Sequence, residues 1–163
     1  TDGASQTTML DDYIDAAKTQ VDFDGPIAGL RALDGDIAGL ARRLSVLSSH
    51  YHVYRAADLP ARWHLSGTAR IPDVWVVPEP GWRIQRRAAH VATKDATLKG
   101  DHGYDNAAES MHGIFIAHGP AFKSGVVVEA LENVHVYNLL CAAAGLKPAP
   151  NDGDNRLVKA ALR

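Results

Sequence analysis

The segment Gly100–Asn106 carries the residue types that most clearly suggest chemistry. Its histidine, His102, stands among small residues, and it is followed by the apolar run Gly113–Ala117 and by His118-Gly119-Pro120. A neutral imidazole is a good zinc ligand, and glycine lets the backbone approach an ion closely. A strand beside such a loop would hold it rigid. The pattern predicts one half of a metal site, because the rest of the chain does not obviously supply the other half.

Two apolar runs and one helix are predicted in the C-terminal part of the chain. Ile114–Ala117 is apolar on both faces, which predicts a strand buried between helical layers of a parallel or mixed sheet. Val126–Val128 predicts a short edge or crossover strand. A helix should begin at Asn133 and end just before Gly145, which suits the position that follows a helix. Its apolar inner face would carry Val134, Tyr137, Leu140, Cys141 and Ala144.

Alternating and helical periodicities predict further elements upstream. Residues 1–20 indicate a short helix or an irregular packed segment. A helix is expected over Asp36–Leu47, capped by Asp34 or Asp36, and a second helix should start at Asp58 with Pro60 in its first turn. Residues 85–100 are polar and mixed, which predicts a loop. Strands are expected at Ile27–Arg31, Tyr51–Arg55 and Val74–Val77. Together these elements predict one α/β unit over residues 1–163.

Composition excludes several classes of protein. The 163 residues are 46% hydrophobic and 22% charged, which is ordinary for a globular domain. The net charge of -2 gives no sign of a nucleic-acid-binding surface. No apolar run approaches the ~20 residues that a membrane-spanning helix needs. Cys141 is the single cysteine, so neither an internal disulfide nor a thiolate metal cluster is expected.

Several blocks resemble the nucleotide pyrophosphatase/phosphodiesterase family of the alkaline phosphatase superfamily. The resemblance runs from about residue 50 to 155, is weaker before that, and is most specific in the His-Gly-x-Asp-Asn block. It is carried by Tyr51–Arg55, Leu59–His64, Pro80–Trp82, Gly100–Asn106, Met111, Phe115, Gly119–Lys123, Glu132-Asn133, Tyr137-Asn138, Cys141 and Leu146–Gly153.

The resemblance implies a fold, a reaction and site residues. The fold would be part of an alkaline-phosphatase-like mixed sheet with helices on both faces. The reaction would be hydrolysis of phosphodiester or pyrophosphate bonds in nucleotide-type substrates, with two zinc ions and a threonine or serine nucleophile. By the resemblance, His102 would be a zinc ligand. Asp105 and Asn106 are expected to hydrogen-bond the loop and so orient His102. His118 is expected either to support the site in the same way or to be structural.

The chain also departs from the family pattern. The family's other ligands, three aspartates and two histidines, and its nucleophile precede the matched region, and its Asp-His-Gly-Met motif would lie just ahead of Thr1. We therefore expect the C-terminal half of a catalytic domain, inactive alone, whose partner is the N-terminal half. Alternatives are a non-catalytic binding or assembly module and a relative of phosphonoacetate hydrolase. Extracytoplasmic or periplasmic placement is usual among relatives, although the sequence does not fix it.

Overall fold

The computed structural model describes residues 6–65, 67–93 and 100–163. The chain divides into two compact units, Thr1–His112 and Gly113–Arg163. Among the described helices, none has the length and apolar character needed to cross a membrane. That residues 1–163 all belong to one catalytic domain stays a prediction.

The first unit contains a four-stranded antiparallel sheet and a separate parallel strand pair. The strands among its described residues are β1 (Thr7–Met9), β2 (Thr19–Phe23), β3 (Ala28–Ala32), β4 (Tyr51–Arg55), β5 (Val74–Pro78) and β6 (Arg83–Gln85). The larger sheet has the order β2-β3-β5-β4, and β1 pairs with β6 in parallel. Three of these strands were predicted within one residue at each end, and they form the continuous middle and one edge of the larger sheet. Strands β1, β2 and β6 were missed.

Helix α1 (Ile37–Leu44) covers one face of the larger sheet and builds its core. The Asp36 carboxylate accepts a hydrogen bond of 2.8 Å from the Gly39 amide, so it caps the helix as predicted. Leu40 and Leu44 are fully buried, and they pack in one apolar cluster with Leu10, Ala28, Leu30, Tyr51, Val74, Val76 and Ile84. The helix ends three residues before the predicted Leu47.

The predicted loop over residues 85–100 is wrong in its first part. Gln85 ends β6, and helix α2 spans Arg87–Thr93. Carboxylates from distant segments satisfy the amides where this helix begins: Asp24 accepts from the Arg86 amide and Asp11 from the Arg87 amide, over 2.6 and 2.7 Å. Such long-range capping leaves no local mark in the sequence. Residues 94–99 lie outside the described residues.

The helix predicted to start at Asp58 is also wrong. The structure has two single turns of 3-10 helix instead, Ala56–Asp58 and Ala61–Trp63. Asp58 binds the Arg55 guanidinium over 2.6 Å rather than capping a helix. Extended backbone at Leu59 and Pro60 separates the turns, since the residue before a proline avoids helical conformation.

The second unit consists of two packed helices and irregular segments. Helix α3 (Val134–Ala143) and helix α4 (Arg156–Ala161) meet through Leu139, Leu157 and Ala161. The end of α3 is as predicted, because Gly145 has φ of 70° and the Leu146 amide binds the Cys141 carbonyl over 2.8 Å. Helix α4 was missed.

The predicted inner face of α3 is wrong at three positions. Tyr137, Leu140 and Ala144 are exposed. His135 and Asn138 are buried instead. Polar contacts explain this arrangement. The Asp154 amide donates to Nδ1 of His135 over 3.0 Å, and the side-chain amide of Asn151 donates to Asn138 over 2.9 Å.

The strands predicted at Ile114–Ala117 and Val126–Val128 are absent from this unit. Both segments are irregular, and Ile114, Ile116 and Val127 are 91%, 85% and 95% exposed. Strand pairing requires a neighbour, and in the described residues of this unit the only ladder contact is an isolated bridge between Phe122 and Leu162. An apolar run alone therefore did not indicate a strand here.

Candidate metal-binding loop

His102 lies on an exposed loop near the start of the described range 100–163, ahead of a 3-10 turn over Glu109–Met111. Gly103 next to it has φ of 94°, a conformation that favours glycine. Among the described residues, the only hydrogen bond of His102 is from its backbone amide, which donates to the Asp101 carboxylate over 3.0 Å. Its imidazole nitrogens are therefore available to an ion as far as the described structure extends.

The residue before His102 ties the loop to strand β6. The Asp101 carboxylate forms a close ion pair with the Arg83 guanidinium, and the two side chains are partly buried, with exposed fractions of 27% and 17%. Tyr104 is buried just behind this pair. Burial, followed by the Asp101 charge, raises the pKa of the Tyr104 phenol above its ordinary value, so the phenol stays neutral near pH 7.

A second carboxylate ties the other end of the loop to a different element. Asp105 forms a close ion pair with Arg62 and accepts hydrogen bonds from the Trp63 indole over 3.3 Å and from the Ala107 amide over 2.9 Å. Partial burial alone would raise the pKa of Asp105. The hydrogen bonds from Ala107, Arg62 and Trp63 outweigh burial, and the pKa lies below its ordinary value.

The predicted site residues occupy different surroundings. Asp105 contacts Arg62, Trp63 and its own loop, and Asn106 is exposed. His118 is exposed in the second unit. The predicted supporting roles of Asp105, Asn106 and His118, and the ligand role of His102, stay predictions.

The side chains around His102 fit one ligand position but do not form a complete site. No group of three or more His, Cys, Asp or Glu side chains suited to a metal occurs among residues 6–65, 67–93 and 100–163. The two aspartates nearest in sequence, Asp101 and Asp105, already pair with arginines. The exposed His102 imidazole takes no part in these ion pairs, so it is the side chain of this loop that can bind a metal ion.

Sequence reasoning missed the two arginines that anchor the loop. Arg83 and Arg62 lie 18 and 43 residues from their aspartate partners, so no short spacing connects them. Two indications were available. Arg62 falls in the block Leu59–His64 that carries the family resemblance, and Arg83 precedes the fully buried Ile84.

Comparison with known proteins identifies the family to which this chain belongs. The family model "Type I phosphodiesterase / nucleotide pyrophosphatase" matches residues 1–105. The match extends the resemblance upstream of residue 50, and it ends within the His-Gly-x-Asp-Asn block.

Two curated relatives and one solved structure illustrate the similarity. Human ectonucleotide pyrophosphatase/phosphodiesterase family member 5 is 33% identical over 144 residues, which cover 88% of this chain and 29% of that protein. Bovine bis(5′-adenosyl)-triphosphatase ENPP4 is 40% identical over 111 residues, covering 68% of this chain and 23% of its own length. An inactive murine family member 5, solved in complex with AMP, superposes with a TM-score of 0.82 at 31% identity, covering 98% of this chain and 41% of that one.

The chain belongs to the type I phosphodiesterase/nucleotide pyrophosphatase family, as the resemblance predicted. The predicted α/β fold, with its mixture of parallel and antiparallel strands, is confirmed by the solved relatives. The chain spans less than a third of the length of the two curated relatives it was compared with.

Proposed function

We propose that this chain is the C-terminal segment of the catalytic domain of a zinc-dependent hydrolase that cleaves phosphodiester or pyrophosphate bonds in nucleotide-type substrates. Membership of the family carries the proposal. A nucleotide substrate is supported by the bovine relative's name, a bis(5′-adenosyl)-triphosphatase, and by the murine relative solved with AMP.

His102 is the ligand that this chain would contribute to the metal centre. Its imidazole is exposed, and the backbone beside it is fixed at Asp101 and Asp105. A neutral imidazole nitrogen donates a lone pair to zinc, and the other nitrogen can then donate a hydrogen bond. Zinc ions held at this centre would stabilise negative charge that develops on the oxygens of the reacting phosphate ester.

The remaining ligands and the nucleophile come from a segment that precedes this one in the complete domain. Two observations support this: the described residues hold no three-ligand group, and the β1–β6 pair has only three residues in each parallel strand. An isolated pair of short strands is at best marginally stable in water, so this pair is expected to be extended by further strands. The isolated chain is therefore inactive.

We also propose an extracytoplasmic or periplasmic location for the complete protein. The support is the name of the human relative, which is called an ectonucleotide pyrophosphatase/phosphodiesterase.

The proposal is tested by co-producing this chain with the N-terminal half and measuring hydrolysis of a nitrophenyl nucleotide ester. The isolated chain should give no turnover, and the combined protein should be active. His102→Ala should lower kcat/KM at least 100-fold, while His52→Ala, a change to an exposed histidine on β4, should leave it within twofold. Equal activity of the two variants would contradict the ligand role.

A non-catalytic assembly module is the second candidate, and the exposed apolar residues of the second unit favour it. Ile114, Ile116 and Val127 would be covered by a partner in such a module. The same assay separates the two functions, because an assembly module would bind the N-terminal half without restoring hydrolysis.

A further inference from the structure

We infer that Arg83 and Arg62 are positioning residues for His102: together they clamp the loop at Asp101 and Asp105, so that the imidazole is held in place before a metal binds. This inference rests on the proposed function, since it concerns how the proposed ligand is oriented. The two arginines come from separate elements, β6 and the turn Ala61–Trp63. They pair with Asp101, one residue before His102, and with Asp105, three residues after it.

The clamp at Asp101 acts directly on the His102 backbone. One carboxylate oxygen, Oδ2, pairs with Arg83, while Oδ1 accepts the His102 amide hydrogen bond of 3.0 Å. A single planar carboxylate thereby links β6 to the backbone of His102. Strand β6 is held by its pairing with β1 and by the fully buried Ile84. The contact with Asp101 therefore restrains the loop against the packed core.

The clamp at Asp105 fixes the far side of the loop. The carboxylate binds Arg62 and the Trp63 indole at once, and the Trp63 ring packs edge-on against Tyr54 of β4 with centroids 5.7 Å apart. Between the clamps, the buried Tyr104 side chain leaves little freedom for the loop to rotate. Gly103 allows the tight backbone that this arrangement requires.

The contacts of the Asp101 and Asp105 carboxylates support a positioning role for these residues rather than a ligand role. Both oxygens of each carboxylate already accept hydrogen bonds from protein groups, so neither oxygen is presented to an ion. Outer-shell partners of metal ligands commonly change metal affinity 10- to 100-fold when they are mutated. Preorganisation explains such values, because a mobile ligand must lose conformational entropy when it binds the ion.

The test compares Arg83→Met with a matched control in the complete catalytic domain. Arg31→Met is the control, since Arg31 also pairs with an aspartate, Asp22, at 2.7 Å with similar exposure of 27% and 20%, but lies in the four-stranded sheet away from the loop. Zinc chloride titration should show a 10- to 100-fold loss of affinity in Arg83→Met and less than a threefold change in Arg31→Met. Arg83→Lys, which retains the positive charge, should recover part of the loss.

A second measurement does not depend on the metal or on activity. Amide hydrogen exchange of residues 100–106 in the zinc-free protein should accelerate at least tenfold in Arg83→Met and in Arg62→Met, and should be unchanged in Arg31→Met. Thermal unfolding of all variants identifies any that are generally destabilised, and only variants with matched melting temperatures are compared.

The outcomes separate failure of this inference from failure of the proposed function. If His102→Ala lowers zinc binding but Arg83→Met and Arg31→Met behave alike in both measurements, the positioning inference is overturned and the ligand role stands. If His102→Ala leaves zinc binding unchanged, the proposed ligand role fails, and the clamp inference fails with it.

Discussion

The loop around His102 and the apolar stretch after Gly113 differ in what holds them in place. In the loop, Asp101 and Asp105 are committed to arginines, and Tyr104 is buried. In the stretch, Ile114 and Ile116 have no such cover and are 91% and 85% exposed. A polar loop can be fixed by a few directional contacts to elements already folded, whereas an apolar segment gains stability only where a surface removes it from water.

The largest expected effect contrasts a covered apolar side chain with an uncovered one. Leu30→Ala should lower the free energy of unfolding by about 2–5 kcal/mol, because Leu30 is fully buried and its truncation leaves a cavity. Ile114→Ala should change it by less than about 0.5 kcal/mol. Denaturant unfolding followed by circular dichroism measures both. A cost above ~2 kcal/mol for Ile114→Ala would mean that this residue is buried in solution, which would remove the contrast.

A smaller effect tests how much one directional polar contact contributes. Asp36→Ala should destabilise the first unit by about 1 kcal/mol, because it removes the hydrogen bond to the Gly39 amide at the start of α1. Asp58→Ala is the matched control, since its exposed pair with Arg55 caps no helix. Exposed pairs of this kind contribute little, so the control should cost less than about 0.5 kcal/mol. Equal costs in urea unfolding would refute the capping argument.

The smallest effect concerns a polar contact in the second unit. Hydrogen bonds from Arg156, with minor help from the nearby His135, lower the pKa of Asp154 to about 2. An unfolded aspartate titrates at about 3.9, so the stability that this contact contributes is complete above that pH and is lost as pH falls through about 2. Asp154 is half-exposed, so the effect is small and screened by salt.

Nuclear magnetic resonance provides the check on Asp154. The side-chain carboxyl carbon should titrate near 2 in the native protein and should move toward its ordinary value in Arg156→Met. Lys159→Met, which removes a positive charge elsewhere on α4, should leave the titration in place. An unshifted Asp154 in the native protein would show that the Arg156 contact does not persist in solution.

Local patterns predicted the elements that local chemistry determines. The cap at Asp36, the strand at Tyr51–Arg55 and the glycine stop at Gly145 each depend on residues within a few positions, and each is present. Helix α2 was missed because its first amides bind Asp24 and Asp11, more than sixty residues away in sequence. The periodicity of a single segment does not indicate partners that are distant in sequence.

The candidate site was predictable in its type but not in its anchoring. The family resemblance pointed to His102, and the structure leaves that side chain exposed on a fixed loop. Spacing could not reveal the Arg83 and Arg62 contacts, since ion pairs across 18 and 43 residues depend on the fold. The strand predicted at Ile114–Ala117 was wrong for a related reason: apolar composition indicates a preference for burial, but it does not supply the surface.

The central claim is that His102 contributes one ligand to a zinc centre completed by a preceding segment. Native mass spectrometry of this chain co-purified with the N-terminal half measures the bound zinc directly. We predict two zinc ions in the combined protein. His102→Ala should lose at least one of them while both segments remain associated. Unchanged zinc stoichiometry in His102→Ala would contradict the claim.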